Sequence, residues 1–74
     1  DRLRPTESER LVAEARELAG SDPDGADERF RRAIELDHPA PGPKVAYATF
    51  LLDQGRPAEA LEQVQDLERR AYAD

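Results

Sequence analysis

The feature that most constrains this chain is a pattern that it repeats at a spacing of 34 residues. Proline, alanine and large apolar residues recur at that spacing, in the pairs Leu18 and Leu52, Pro23 and Pro57, Ala26 and Ala60, Phe30 and Val64, and Ala33 and Leu67. A repeat of this length holds one supersecondary unit that cannot bury its apolar face alone, so neighbouring units must stack. The 74 residues therefore predict two copies of one unit in a single domain, 1–74.

Local signals in the first unit, about residues 6–39, predict two helices joined by a turn. Thr6 and Glu9 have the spacing of a capping box, which opens a helix that Gly20 ends. The pair Asp22-Pro23 opens the second helix, which ends at His38-Pro39. The apolar residues expected to face inward lie at helical spacing: Leu11, Val12, Ala15 and Leu18, then Ala26, Phe30, Ala33 and Ile34.

The second unit, about residues 43–72, has the same organisation. A linker is expected over 40–43, since that segment contains two prolines and a glycine. A third helix is predicted from Pro43 to Gln54, where Gly55 ends it, and a fourth from Pro57. Their apolar residues are Val45, Tyr47, Ala48, Leu51 and Leu52, then Ala60, Leu61, Val64 and Leu67. The sequence thus predicts an all-α fold of two stacked antiparallel helical hairpins.

Composition excludes several classes of partner. Seventeen acidic residues oppose 11 lysines and arginines, and the formal charge of −6 disfavours binding to nucleic acid or to anionic lipid. The chain has no cysteine, which excludes disulfides and favours a cytoplasmic location.

No apolar run approaches the roughly 20 residues of a membrane span. Because it lacks methionine and begins at Asp1, we expect it to be a segment of a larger protein.

The two units resemble the tetratricopeptide repeat (TPR), a 34-residue helical hairpin. Its second helix has a small residue, a large one four positions later and a small one three further, matched by Ala26, Phe30 and Ala33, with Pro39 near the hairpin end. The second unit matches the motif's first helix at Tyr47, Ala48 and Leu51, followed by Gly55 and Ala60. In the second helix of the second unit, Val64 and Leu67 replace the motif's aromatic and small residues. The first helix of the first unit matches the motif only when the alignment is shifted by one residue.

The resemblance implies a binding module without chemistry of its own. TPR arrays place the first helices of successive hairpins on a concave surface that holds a peptide or a partner's helix. Transferred to this chain, that groove is lined by Arg16, Val45, Thr49 and Asp53. The lysine- and asparagine-rich carboxylate clamp of chaperone-binding TPR domains is not expected, since Arg16 is the single cation of this set.

Two function classes follow for this chain. The first is a protein-interaction module whose partner is neutral to basic, because the chain is acidic and Asp53 lies in the groove. The alternative is a structural or assembly element that packs on its parent chain or on a second copy, as a monomer or weak homodimer. The alternatives outside these two classes include a regulatory appendage on an enzyme.

No catalytic residue, cofactor or metal is expected. The single histidine, His38, has no neighbouring ligands at useful spacing, and no base is placed for Ser8 or Ser21. The acidic turn that begins at Asp22 departs from a calcium loop, because Gly25 comes too early. The remaining glycines are scattered and form no phosphate-binding loop.

The sequence also predicts where the stacking ends. Ile34 and Leu36 are expected to face the second hairpin, and the residues 34 positions later are Glu68 and Arg70. Charged side chains are costly to bury, and terminal repeats carry a polar outer face. The second hairpin is therefore expected to be a C-terminal cap.

Overall fold

The computed structural model describes residues 6–37 and 40–72, with backbone alone for 70–72. It contains four helices and, within the described residues, no strand: α1 Glu7–Leu18, α2 Pro23–Leu36, α3 Pro41–Asp53 and α4 Pro57–Tyr72. The all-α prediction is confirmed. Helix α2 ends at Leu36 with Asp37 as its C-cap, within one residue of the predicted end at about Asp37. His38 and Pro39, which were expected to stop it, lie outside the described residues.

Both predicted N-terminal caps of the first hairpin are formed. Thr6 Oγ1 accepts a 3.2 Å hydrogen bond from the Glu9 backbone N–H, and Glu9 Oε1 accepts a 2.7 Å bond from the Thr6 N–H. Asp22 Oδ1 accepts from the Gly25 N–H at 3.1 Å, ahead of Pro23 in the first turn of α2. These bonds satisfy backbone donors that have no partner inside the helix, so they fix where α1 and α2 begin.

The third helix begins two residues earlier than predicted. Pro41 and Pro43 lie in the first turn of α3 rather than in a linker. Proline is tolerated there because the first N–H groups of a helix have no intrahelical acceptor and its fixed φ suits the helix. At the other end, Gly55 takes φ 74° and the N–H of Arg56 donates to Leu51 O at 2.8 Å, which stops the helix.

The helices form two hairpins that stack through α3. Helix α1 packs on α2 and α3 on α4, while α3 also contacts both α1 and α2. Among the described residues, the backbone of α4 makes no close approach to α1 or α2. The buried core lies between the hairpins and combines alanines with three aromatic rings: Ala15, Ala26, Phe30, Ala46, Tyr47, Ala48, Phe50, Leu51 and Ala60.

The buried positions of α1 and α3, the first helices of the two hairpins, repeat at a spacing of 33 residues rather than the predicted 34. Leu11 and Ala15 of α1 are buried, and their counterparts 33 positions later, Lys44 and Ala48, are buried too. The predicted equivalence of Leu18 and Leu52 is wrong, because Leu52 is 60% exposed. The turn after α1, residues 19–22, is one residue longer than the turn after α3, residues 54–56, which accounts for the shift.

Several apolar residues expected to face inward lie at the surface instead. Leu61 and Val64 of α4 are 55% and 43% exposed, and Leu36 is exposed rather than packed on the second hairpin. Ile34 is partly buried against the core, as expected. The exposure of Leu61 and Val64 follows from the position of α4, whose backbone comes close to α3 alone among the described helices. The polar outer face predicted for the second hairpin is present at Glu68 and absent at these two residues.

Candidate protein-binding groove

All four residues predicted to line a groove surround one depression between α1 and α3. Its volume is about 260 Å³, and Arg16, Val45, Thr49 and Asp53 all contribute to its wall. Phe30 and Phe50 of the core reach the same depression, so its floor is apolar. The geometry thus brings together residues that are up to 37 positions apart, from Arg16 to Asp53.

A second depression extends this surface towards the start of α3. It has a volume of about 400 Å³ and shares Arg16 with the first. Its lining combines α1 side chains with the first turn of α3, including Glu9, Ala13, Gly42 and Pro43. Because the two depressions meet at Arg16, they form one groove along α1 and α3, which we call the α1–α3 groove.

Two charged side chains of this groove make no polar contact with the described part of the fold, unlike Glu9, which caps α1. Arg16 and Asp53 are exposed, and neither makes a hydrogen bond or an ion pair with any other residue that the structure describes. Thr49 Oγ1 donates to the Val45 carbonyl at 3.1 Å, which leaves its oxygen able to accept. The groove therefore offers a cation, an anion, an acceptor and an apolar floor to a partner.

Behind the groove, a polar network that sequence reasoning missed joins the two hairpins. The Tyr47 hydroxyl donates to Asp27 Oδ1 at 2.7 Å and accepts from Arg31 Nε at 3.1 Å. Arg56 Nη1 donates to the same Asp27 oxygen at 3.2 Å, and Nε and Nη2 of Arg56 each donate to a Glu59 carboxylate oxygen at 2.7 Å. The sequence shows Asp27 and Arg31 at i,i+4 spacing, but nothing in it places Tyr47 against them.

These contacts shift the pKa values of the network. Burial disfavours the phenolate, and together with the hydrogen bond to Asp27 it raises the pKa of Tyr47. The hydrogen bond to the Tyr47 hydroxyl raises the pKa of Arg31. The hydrogen bonds from Arg56 lower the pKa of Glu59, and the same pairing raises the pKa of Arg56. Tyr47 thus stays neutral and both arginines stay charged around neutral pH.

A second missed feature is a buried cation inside the second hairpin. Lys44 is 2% exposed, and its Nζ lies 2.6 Å from Oδ2 of Asp66. Asp66 also contacts Arg69 at 3.4 Å and is partly open to solvent. The single lysine of the chain therefore links α3 to α4 through this ion pair.

Metal sites and membrane spans have no candidates among the described residues. No group of three or more His, Cys, Asp or Glu side chains is arranged to hold a metal ion there. None of the helices in the described part of the chain is both long and apolar enough to cross a membrane.

No family model, curated protein or solved structure matches the chain. The likeness to TPR domains therefore remains a resemblance in residue pattern and in helix arrangement. The described arrangement is two stacked helical hairpins whose first helices line one groove.

Proposed function

We propose that this chain is a non-catalytic protein-binding module of the TPR type, whose α1–α3 groove holds a peptide segment or a helix of a partner. The observation that carries the proposal is the pair Arg16 and Asp53, which are exposed, line the same depression as Phe30 and Phe50, and have no partner among the described residues. Binding sites combine an apolar surface with a few such polar groups, which orient the ligand.

The partner of the groove is proposed to be neutral to basic. The chain carries a formal charge of −6, and Glu9 and Asp53 both line the groove against the one cation Arg16. Such a surface attracts cationic segments over long range, and the attraction weakens as salt screens it.

Peptide titration tests both statements. A basic and an acidic amphipathic peptide of equal length are titrated into the chain at two ionic strengths. We expect the basic peptide to bind more tightly and to lose affinity with salt. Asp53→Asn should weaken binding of the basic peptide by a factor of up to about five, the effect of one exposed charge pair. Asp24→Asn, the same change at an exposed position of α2, is the control. Tighter binding of the acidic peptide would overturn the charge assignment, and no binding of either would overturn the groove.

Assembly with another helical surface is a second candidate function. The observation that favours it is the exposure of Leu52, Leu61 and Val64 on the second hairpin. Large apolar side chains left exposed on a helical hairpin are candidates for an interaction site. Sedimentation at several concentrations tests self-association: a monomer throughout the range excludes a second copy as the partner.

A further inference from the structure

The exposed apolar residues of the second hairpin occupy the positions at which the first hairpin receives α3. In the second helices the spacing is 34, so Leu61 corresponds to Asp27 and Val64 to Phe30. In the first helices the spacing is 33, so Leu52 corresponds to Ala19. Each residue of the first hairpin in these pairs contacts the second hairpin or packs on the shared core, whereas each counterpart in the second hairpin is exposed.

The contacts of the first hairpin show what such a surface binds. Phe30 is 1% exposed, with its ring centroid 5.7 Å from that of Tyr47 and 5.1 Å from that of Phe50. Asp27 accepts the hydrogen bond of the Tyr47 hydroxyl. Ala19 and Phe30 line the same depression as Phe50. All three positions thus contact α3 or pack on the core that α3 shares with the first hairpin.

The opposite end of the stack is polar. Helix α3 faces the first hairpin with four buried residues: Pro43, Ala46, Tyr47 and Phe50. At a spacing of 33, α1 has Arg10, Ala13, Glu14 and Glu17 in their place, and all four are exposed. Glu14 pairs there with Arg29 at 3.3 Å. Among the described residues, the α1 side of the stack is therefore mostly charged and the α4 side carries exposed apolar residues, which disfavours head-to-tail pairing of copies.

We propose that Leu52, Leu61 and Val64, which we call the outer face, dock one amphipathic helix of a partner protein. The internal interface defines the chemistry of that helix. A large apolar residue without a hydroxyl should stand where α3 has Tyr47, because Leu61 offers no acceptor in place of Asp27. A large side chain should stand where α3 has Phe50, because Val64 is smaller than Phe30.

Charge fixes the orientation of the docked helix. Glu68 stands where the first hairpin has Ile34, and Ile34 lines a cavity together with Lys44 of α3. A helix docked in the same register brings a basic residue opposite Glu68. The partner motif is then a lysine or arginine, a leucine or phenylalanine three positions later, and an aromatic residue six positions later. A second copy fits poorly, because it would bring its own Glu68 and a further −6 charge to the interface.

A helical peptide with this motif is the probe. It carries Lys, Leu and Phe at i, i+3 and i+6 in an alanine and glutamine background, and its control has the same composition with Leu and Phe on the opposite side of the helix. Both are titrated into the full chain by fluorescence anisotropy. We expect the motif peptide alone to bind, and Leu61→Asp to weaken it at least about tenfold, as at an interface hot spot. Glu68→Gln in the parent chain should reduce the salt dependence of motif-peptide binding.

Two controls separate this surface from the α1–α3 groove and from misfolding. Arg16→Ala changes the groove and should leave binding of the motif peptide unchanged, so failure of the groove proposal is seen separately. The denaturant midpoint of Leu61→Asp should match that of the parent chain, because Leu61 is exposed. Equal binding of the two peptides, full binding by Leu61→Asp, or a dimer that Leu61→Asp abolishes would each overturn the proposal.

Discussion

The Tyr47 hydroxyl donates a 2.7 Å hydrogen bond to Oδ1 of Asp27, and this contact ties α3 to α2 across the interface between the hairpins. Arg31 donates to the same hydroxyl at 3.1 Å and lies 2.8 Å from the other Asp27 oxygen. Tyr47 is buried and its ring packs on Phe30, so its polar end needs these partners. The hydroxyl thus fixes the position of α3, which carries one wall of the groove.

We expect Tyr47→Phe to lower the free energy of unfolding by about 1 to 3 kcal/mol, the range for a buried hydrogen bond to a charged group. The ring contacts remain, but Asp27 loses a donor. Urea melts measure the change. Thr49→Val, which removes an exposed hydroxyl from the same helix, is the control and should cost less than about 0.5 kcal/mol. Equal costs for the two variants would show that the Tyr47 contact contributes no stability.

Tyr47 should also make the fold sensitive to alkali. Burial and the bond to Asp27 raise its pKa in the folded state above the ordinary value of about 10. Folding therefore favours the protonated phenol: its contribution is complete below the unfolded pKa and is lost as the pH rises through the folded pKa. The difference in tyrosinate absorbance between the parent chain and Tyr47→Phe, followed against pH, isolates this group. A midpoint at or below about 10 would contradict the raised pKa.

The Lys44–Asp66 pair should contribute to stability through the buried amine. Asp66→Asn preserves the shape of the side chain but removes the carboxylate 2.6 Å from Nζ, and we expect a loss of about 1 to 3 kcal/mol. Glu68→Gln makes the corresponding change at an exposed residue of the same helix and should cost less than about 0.5 kcal/mol. A small effect of Asp66→Asn in urea melts would show that Lys44 does not depend on this carboxylate.

The two turns should respond differently to alanine. Gly55 has φ 74°, a left-handed conformation that costs an L residue roughly 1 to 2 kcal/mol, so Gly55→Ala should destabilise the chain by about that amount. Gly20 lies in the turn after the Ala19 C-cap of α1 without a positive φ, and an added Cβ there meets open space. Gly20→Ala should therefore be neutral or slightly stabilising. Thermal melts of both variants measure the contrast, and equal destabilisation would contradict the role assigned to Gly55.

Local features of the fold could be predicted from the sequence because their causes are local. The capping box of Thr6 and Glu9, the start of α2 at Pro23 and the stop at Gly55 each depend on residues within one turn. The 34-residue repeat predicted two stacked hairpins, and the resemblance to TPR domains named four residues that line one depression. The prediction that α3 starts at Pro43 is two residues late, because prolines such as Pro41 and Pro43 are typical of linkers and of first helical turns alike.

Burial, in contrast, depends on which helix lies opposite, and that was decided by the tertiary structure. The sequence marks Leu61 and Val64 as apolar and Lys44 as charged, yet the first two are exposed and the third is buried. Their environments depend on α3 lying against the first hairpin while the backbone of α4 makes no close approach to it. Periodicity fixes which residues share a helix face, but the contact that a face makes depends on a packing arrangement that distant residues determine together.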